Sequence, residues 1–199
     1  MEKELIQAQL EALHAKINPH FLYNSLNTIA GLALIDGEKT RQMALALSRF
    51  FRYSINKEQT NLTSVVEETE MINTYLDIEK IRFGNHLNYT IECEPECEKE
   101  LIPRMLLQPL IENSIKHGWN EQLNSIRIQL IIRKENEQLI ISIKDSGTPF
   151  KPGFIPGYGL QSTHDKLELL FPNQHDLSII SEPEKEVRII IKAISLSKS

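Results

Sequence analysis

The chain has 199 residues, 41% of them hydrophobic and 25% charged, with a formal net charge of −5. That composition suits one or two compact units with their own cores, and the negative balance argues against general nucleic-acid binding. No apolar run approaches the roughly 20 residues that span a bilayer, and no signal peptide stands at the start.

In chain order, "MEKELIQAQLEALHAKI" turns helical at once without a capping residue, as in a chain cut from something longer. We therefore expect a cytoplasmic fragment whose parent reaches a membrane only through a missing upstream segment. Ile6, Leu10, Leu13 and Ile17 form an apolar stripe at coiled-coil spacing. Pro19 interrupts it, so a kink is expected there. Beyond the proline the stripe is Leu22, Leu26, Ile29 and Ala33. Relative to that stripe His20 lies about 150° away, on a polar face shared with Asn24 and Asn27. An exposed neutral imidazole is a competent nucleophile; the alternative is a surface histidine beside a kink.

The break at "IDGEK" separates this helix from "TRQMALALSRFFRYSI". "NLTSVVEE" reads as a helix start, capped either by Thr63 or by Ser64 with Glu67 in a capping box. Its helix runs to about Phe83, and "RFGNH" ends it. The texture then changes. "HLNYTIECE", "SIRIQLIIRK", "QLIISIKDS", "DLSIISE" and "EVRIIIKAI" are Ile-rich and strand-like, while "PRMLLQPLIENSIKHGW" and "GLQSTHDKLELLF" are helices. Cys93 and Cys97 in "CEPEC" lack a second ligand pair at zinc spacing, so they read as free thiols. The expected fold is α+β: a helical hairpin over residues 1–60, a connecting helix over 61–85, and an α/β domain over 86–199.

A second constellation lies in "LQPLIENSIKHG", where Glu112, Asn113, Lys116 and His117 fall within about one helical turn. An amide oxygen is a hard ligand suited to Mg²⁺, and a lysine on the same side can meet a phosphate. A charged helix face is more often simply solvated. The next strand ends at Asp145, with Gly147 two positions on. A carboxylate there can accept from an exocyclic amine such as that of adenine, and glycine lets backbone approach closely. "GYGL" then places Gly157, Gly159 and Leu160 at a helix N-terminus, where free N–H groups favour phosphate. Together these read as a nucleotide site whose lid is "TPFKPGFIPGYG".

These residues resemble the LytS-like family of sensor histidine kinases. "LEALHAKINPHFLYNSLNTI" is similar to its phosphoacceptor box, "YLDIEKIRFG" to its connecting segment, and "LLQPLIENSIKHG", "DSG" and "GYGLQSTHDKL" to the N, G1 and G2 boxes of the GHKL ATP-binding fold. The resemblance implies a homodimeric hairpin that carries the phosphoacceptor, followed by a GHKL-type sandwich that binds ATP and Mg²⁺. It implies His20 as phosphoacceptor, Asn113 as Mg²⁺ ligand, Lys116 on the phosphates and Asp145 on the adenine amine. Gly147, Gly157 and Gly159 would shape the pocket and lid. The partner it implies is the receiver domain of a response regulator. Glu112 would serve as base for His20 or merely cap the site, and Asn24 would orient a water for dephosphorylation or be a plain surface amide. Arg82 matches a family arginine, functional or structural.

Departures from the family pattern are Pro109 one turn before Asn113, "TPF" after Gly147, Ser162 and Lys166 in the G2 box, and "EKEVRIII" in place of a late Gly-Thr. They motivate the alternative of a catalytically degenerate module that dimerises and docks. An ATP hydrolase of the same fold is disfavoured by Pro109, which stands where such enzymes keep a water-activating acid.

Overall fold

The computed structural model describes residues 18–55, 61–151 and 157–192. The first apolar stripe, Ile6 to Ile17, and residues 152–156 of the expected lid lie outside the described residues. The chain divides into two compact units, Met1–Gln59 with Thr74–Gly84, and Thr60–Asn73 with Asn85–Ser199.

The first unit is built on helix α1 (Pro19–Leu32), helix α2 (Gly37–Ile55) and the second half of α3 (Val65–Phe83). Asn18 has an extended backbone, φ −63° and ψ 110°, and its side chain accepts from His20 N–H at 3.1 Å. Pro19 therefore opens α1 rather than kinking the middle of a helix; at the first position its missing N–H leaves no helical bond unmade. Asp36 starts α2 in the same way, its Oδ1 accepting from Lys39 N–H at 3.0 Å. Met43, Ala46, Leu47, Phe50 and Ser54 are buried, the period of one helix face.

The packed face of α1 differs from expectation. Phe21 and Ser25 are buried, whereas Leu26 of the expected stripe is 51% exposed. The reason is aromatic. Phe21 sits 5.1 Å from the Phe50 ring and 4.7 Å from the Tyr75 ring, and Phe50 is 5.7 Å from Tyr75. Three rings that bury this much area set the rotation of α1 more firmly than a leucine stripe does.

The second unit begins with strand β1 (Leu62–Ser64), antiparallel to β3 (Leu101–Pro103). α3 opens with the capping box on Ser64: Ser64 Oγ accepts from Glu67 N–H at 3.3 Å, and Glu67 Oε2 accepts from Ser64 N–H at 3.4 Å. Thr63 adds its hydroxyl to the same carboxylate at 2.6 Å. Val65 and Val66 N–H donate to the carbonyls of Glu100 and Glu98, so the first turn has few orphan donors. Gly84, at φ +59°, ends the helix in the conformation glycine adopts at least cost.

The main sheet takes strands β2 (Leu87–Cys93), β4 (Trp119–Asn120), β5 (Ser125–Glu135), β6 (Gln138–Asp145), β7 (His175–Ile180) and β8 (Glu186–Lys192). Its order is β2-β5-β6-β8-β7, with β4 beside β5; β2 and β5 run parallel and the other pairs antiparallel. Register fixes the faces. Ile128 pairs with Asp145, Leu130 with Ile143 and Ile132 with Ile141; Ile141 pairs with Ile189, and Leu177 pairs with Ile189. One face is thus a continuous apolar layer that Asp145 joins at its end. Helices α4 (Gln108–His117) and α5 (Tyr158–Leu170) pack on this unit, burying Leu110, Ile111, Ile115, Leu160 and Leu167. The fold is α+β, a helical hairpin followed by an α/β sandwich of GHKL type.

Candidate functional site

His20 is exposed, in the first turn of α1. Asn24, four residues on and one turn away, places its amide nitrogen 3.1 Å from Nδ1 and 3.3 Å from Nε2. The amide can donate to whichever ring nitrogen keeps its lone pair.

In the second unit the structure brings together three motifs that are far apart in sequence. Gly159, in the first turn of α5, approaches α4 so closely that a Cβ on it would lie 2.7 Å from Asn113 Nδ2 and 3.2 Å from the Pro109 carbonyl oxygen. Gly147 is as tightly placed: a Cβ there would meet the His117 carbonyl oxygen at 1.9 Å. Close backbone approach requires the glycine at 147, whereas a Cβ at 159 would press chiefly on the Asn113 side-chain amide. Gly157 differs, since a Cβ on it would meet nothing within 4 Å. It is the N-cap residue of α5, with no side-chain cap bond. Leu160 is buried beneath the same turn.

Asp145 lies at the end of β6 with its side chain 7% exposed. Its Oδ1 accepts from Gly147 N–H at 2.9 Å and from Lys185 Nζ at 3.0 Å. Ser146 locks the turn, donating to the Gly118 carbonyl at 2.8 Å and accepting from Arg127 N–H at 2.9 Å. Lys116 and His117 are exposed at the end of α4. Partial burial, then the charges of Lys116 and Lys185, hold His117 below the usual imidazole range, against the pull of Asp145. Glu112 accepts from Gln108 Nε2 at 2.8 Å, one turn earlier on α4.

Sequence reasoning missed Lys185. It stands in "EKEVRIII", the stretch that replaces the late Gly-Thr, and its side chain is 6% exposed. No local signal marks it, because its partner is 40 residues away across the sheet. It also missed Glu68, fully buried on α3, whose two oxygens accept from Met105 and Leu107 N–H at 3.1 Å each. Lys166, where an arginine is usual, donates to the Met105 carbonyl from the other side at 2.7 Å. Arg82 places its two terminal nitrogens 3.1 Å and 3.0 Å from the carboxylate oxygens of Glu79, which is 2% exposed, and lies 4.3 Å over the Phe83 ring. Cys93 and Cys97 are free thiols, and burial pushes Cys97 up to about 11.

A mixed sheet ending in a DxG turn, faced by an asparagine-bearing helix and a glycine-opened helix, is the arrangement of a GHKL-type domain. The histidine kinase family model matches residues 8–87. Over 189 residues the chain is 34% identical to the sensor histidine kinase BtsS of Escherichia coli K12, covering 94% of this chain and 34% of that protein. It is 34% identical over 148 residues to the sensor protein LytS of Staphylococcus epidermidis, covering 74% of this chain and 25% of that protein. The chain thus spans a quarter to a third of the curated relatives it matches. Among solved structures, the histidine kinase domain of the Erythrobacter litoralis blue-light activated kinase superposes with a TM-score of 0.53 at 14% identity, over 92% of this chain and 93% of that one. Acinetobacter baumannii AdeS gives 0.53 at 15% identity, over 96% and 94%. The chain belongs to the LytS-like sensor histidine kinase family.

Proposed function

We propose that the chain is the kinase core of a two-component sensor, which transfers the γ-phosphoryl group of ATP to His20 and then to an aspartate of a response regulator. The observation that carries this reading is the seating of Gly159 against Asn113 and of Gly147 against His117, two contacts that together bring the three nucleotide-side motifs to one helix. α5 opens without a side-chain cap, so its first N–H groups and helix dipole face a position suited to phosphate. Asn113 offers the amide oxygen that would hold Mg²⁺, which offsets charge on the transferring group. Lys116 would meet the phosphates. Gly147 N–H and Lys185 Nζ both bond Oδ1 of Asp145, and Oδ2 would accept from the adenine amine. The residues present fit both groups.

In the transfer a bond forms from phosphorus to an imidazole nitrogen, the bond to the bridging oxygen of ADP breaks, and the imidazole proton leaves to a base. Asn24 would hold the ring through its other nitrogen, and Glu112 is the carboxylate we assign to the proton. Positioning supplies most of the rate in such reactions.

Residues 1–60 would act as the dimerisation and phosphotransfer hairpin, 61–85 as the connector and 86–199 as the catalytic domain. Homodimerisation is supported by the leucine side of α1 and its neighbours: Tyr23, Leu26, Leu34 and Leu45 are 67%, 51%, 90% and 51% exposed. No helix among the described residues is long and apolar enough to cross a membrane; we place the chain in the cytoplasm, with a parent attached to the membrane through another segment. Intact-mass spectrometry after incubation with Mg-ATP tests the reading. One added phosphoryl group on the wild type and none on His20→Ala supports it; an equal gain on both refutes the phosphoacceptor.

A further inference from the structure

Away from the nucleotide side, three potential metal ligands converge where α5 meets β7. His164 and Glu168 stand four residues apart on α5, one above the other on a helix face. His175 opens β7, paired with Ile191 across the sheet, which puts its side chain on the apolar face shared with Leu177 and Ile189. One ligand atom from each residue lies within 4.8 Å of the other two. Among the described residues no other group of three such side chains meets this spacing.

The histidine of β7 is built for ligation. Its side chain is 7% exposed, against 51% for His164 and 59% for Glu168. Its Nδ1 lies 2.9 Å from the Phe171 carbonyl oxygen. A carbonyl only accepts, so Nδ1 carries the proton and Nε2 keeps the lone pair in the neutral ring. Nε2 points toward Glu168, 3.7 Å from Oε2, and the His164 ring stands edge-on at 5.8 Å. An imidazole fixed through one nitrogen by a backbone carbonyl, with the other turned to a carboxylate and a second imidazole, is how proteins orient metal-bound histidine.

We propose that His164, Glu168 and His175 bind a zinc-type divalent cation, with two imidazoles and one carboxylate as ligands and water in the fourth position. A tetrahedral ion with bonds of about 2.0–2.1 Å spaces its ligand atoms roughly 3.3 Å apart. The Glu168–His175 pair, at 3.7 Å, is close to this already, and His164 is exposed enough to swing in. Imidazole selects Zn²⁺, Ni²⁺ or Cu²⁺ over Mg²⁺, so the ion serving nucleotide would not compete. Bound metal would tie the later turns of α5, whose first turn carries Gly159, to the edge strand β7. The proposal stands independently of kinase activity.

The test is titration of the EDTA-treated chain with Zn²⁺ against a chromophoric chelator, in a Cys93→Ser background that removes the half-buried thiol as a competing ligand. The expected result is one equivalent bound at micromolar affinity or better, undisturbed by millimolar Mg²⁺. His164→Ala and Glu168→Gln, both at exposed side chains, weaken binding about tenfold or more. Zn²⁺ raises the melting temperature of the parent background and not of these variants, while the metal-free melting temperatures agree. Unchanged binding in either variant, or no binding below millimolar Zn²⁺, overturns the proposal.

Discussion

Both hydrogen bonds that Asp145 accepts fall on the same oxygen, and one of them comes from a nearly buried ammonium. Lys185 therefore compensates the charge of a nearly buried carboxylate and fixes its Oδ1. In Lys185→Met that support is lost, and nucleotide binding measured by calorimetry weakens by about tenfold at neutral pH. Equal affinity would remove Lys185 from the site. Arg82 has a different task. It neutralises Glu79, a carboxylate 2% exposed, so Arg82→Ala lowers the stability of the chain by about 2–3 kcal/mol in urea unfolding. Loss of labelling with unchanged stability would instead make it a functional residue.

At the scale of elements, the turn before α4 is clamped from two helices. Glu68 of α3 accepts from Met105 and Leu107 N–H, and Lys166 of α5 donates to the Met105 carbonyl. Met105 itself has φ +57°, a conformation that costs a non-glycine residue and needs such support. Glu68→Ala leaves one buried and one half-buried donor unmet and costs about 2–4 kcal/mol, read from the shift in the urea midpoint. A neutral effect would mean that water replaces the carboxylate. What could be read from sequence at this scale was local. The Ser64–Glu67 box, the stop at Gly84 and the Ile alternation of β5 and β6 depend on neighbours a few residues apart, and all are present. Contacts across the sheet were out of reach. Nothing near Lys185 announces Asp145, and nothing near His164 announces His175. The rotation of α1 was misread for the same reason, because Phe50 and Tyr75, far along the chain, set which face is buried. The nucleotide-side residues were legible as motifs, but that Gly159 seats against Asn113, while Gly157 meets nothing, was not.

For the whole molecule, the stripe that the sequence marked on α1 is only partly buried, with Leu22 and Ile29 half-buried and Leu26 and Ala33 exposed. Leu26 is 51% exposed and Tyr23 67%, and Leu45 of α2 is 51% exposed. A second copy of the chain would cover them, as the proposed dimer requires. Sedimentation at micromolar concentration should show a dimer for the wild type and a monomer for Leu26→Glu/Leu45→Glu. A monomeric wild type would contradict the dimer.

The central claim is that this chain moves phosphate from ATP to one imidazole. The most direct measurement is incubation with γ-phosphate-labelled ATP and Mg²⁺, beside His20→Ala and Asn113→Ala. The account predicts label on the wild type alone, lost in acid and stable in base, as a phosphoramidate should be. Label that persists in His20→Ala, or that survives acid, would contradict it.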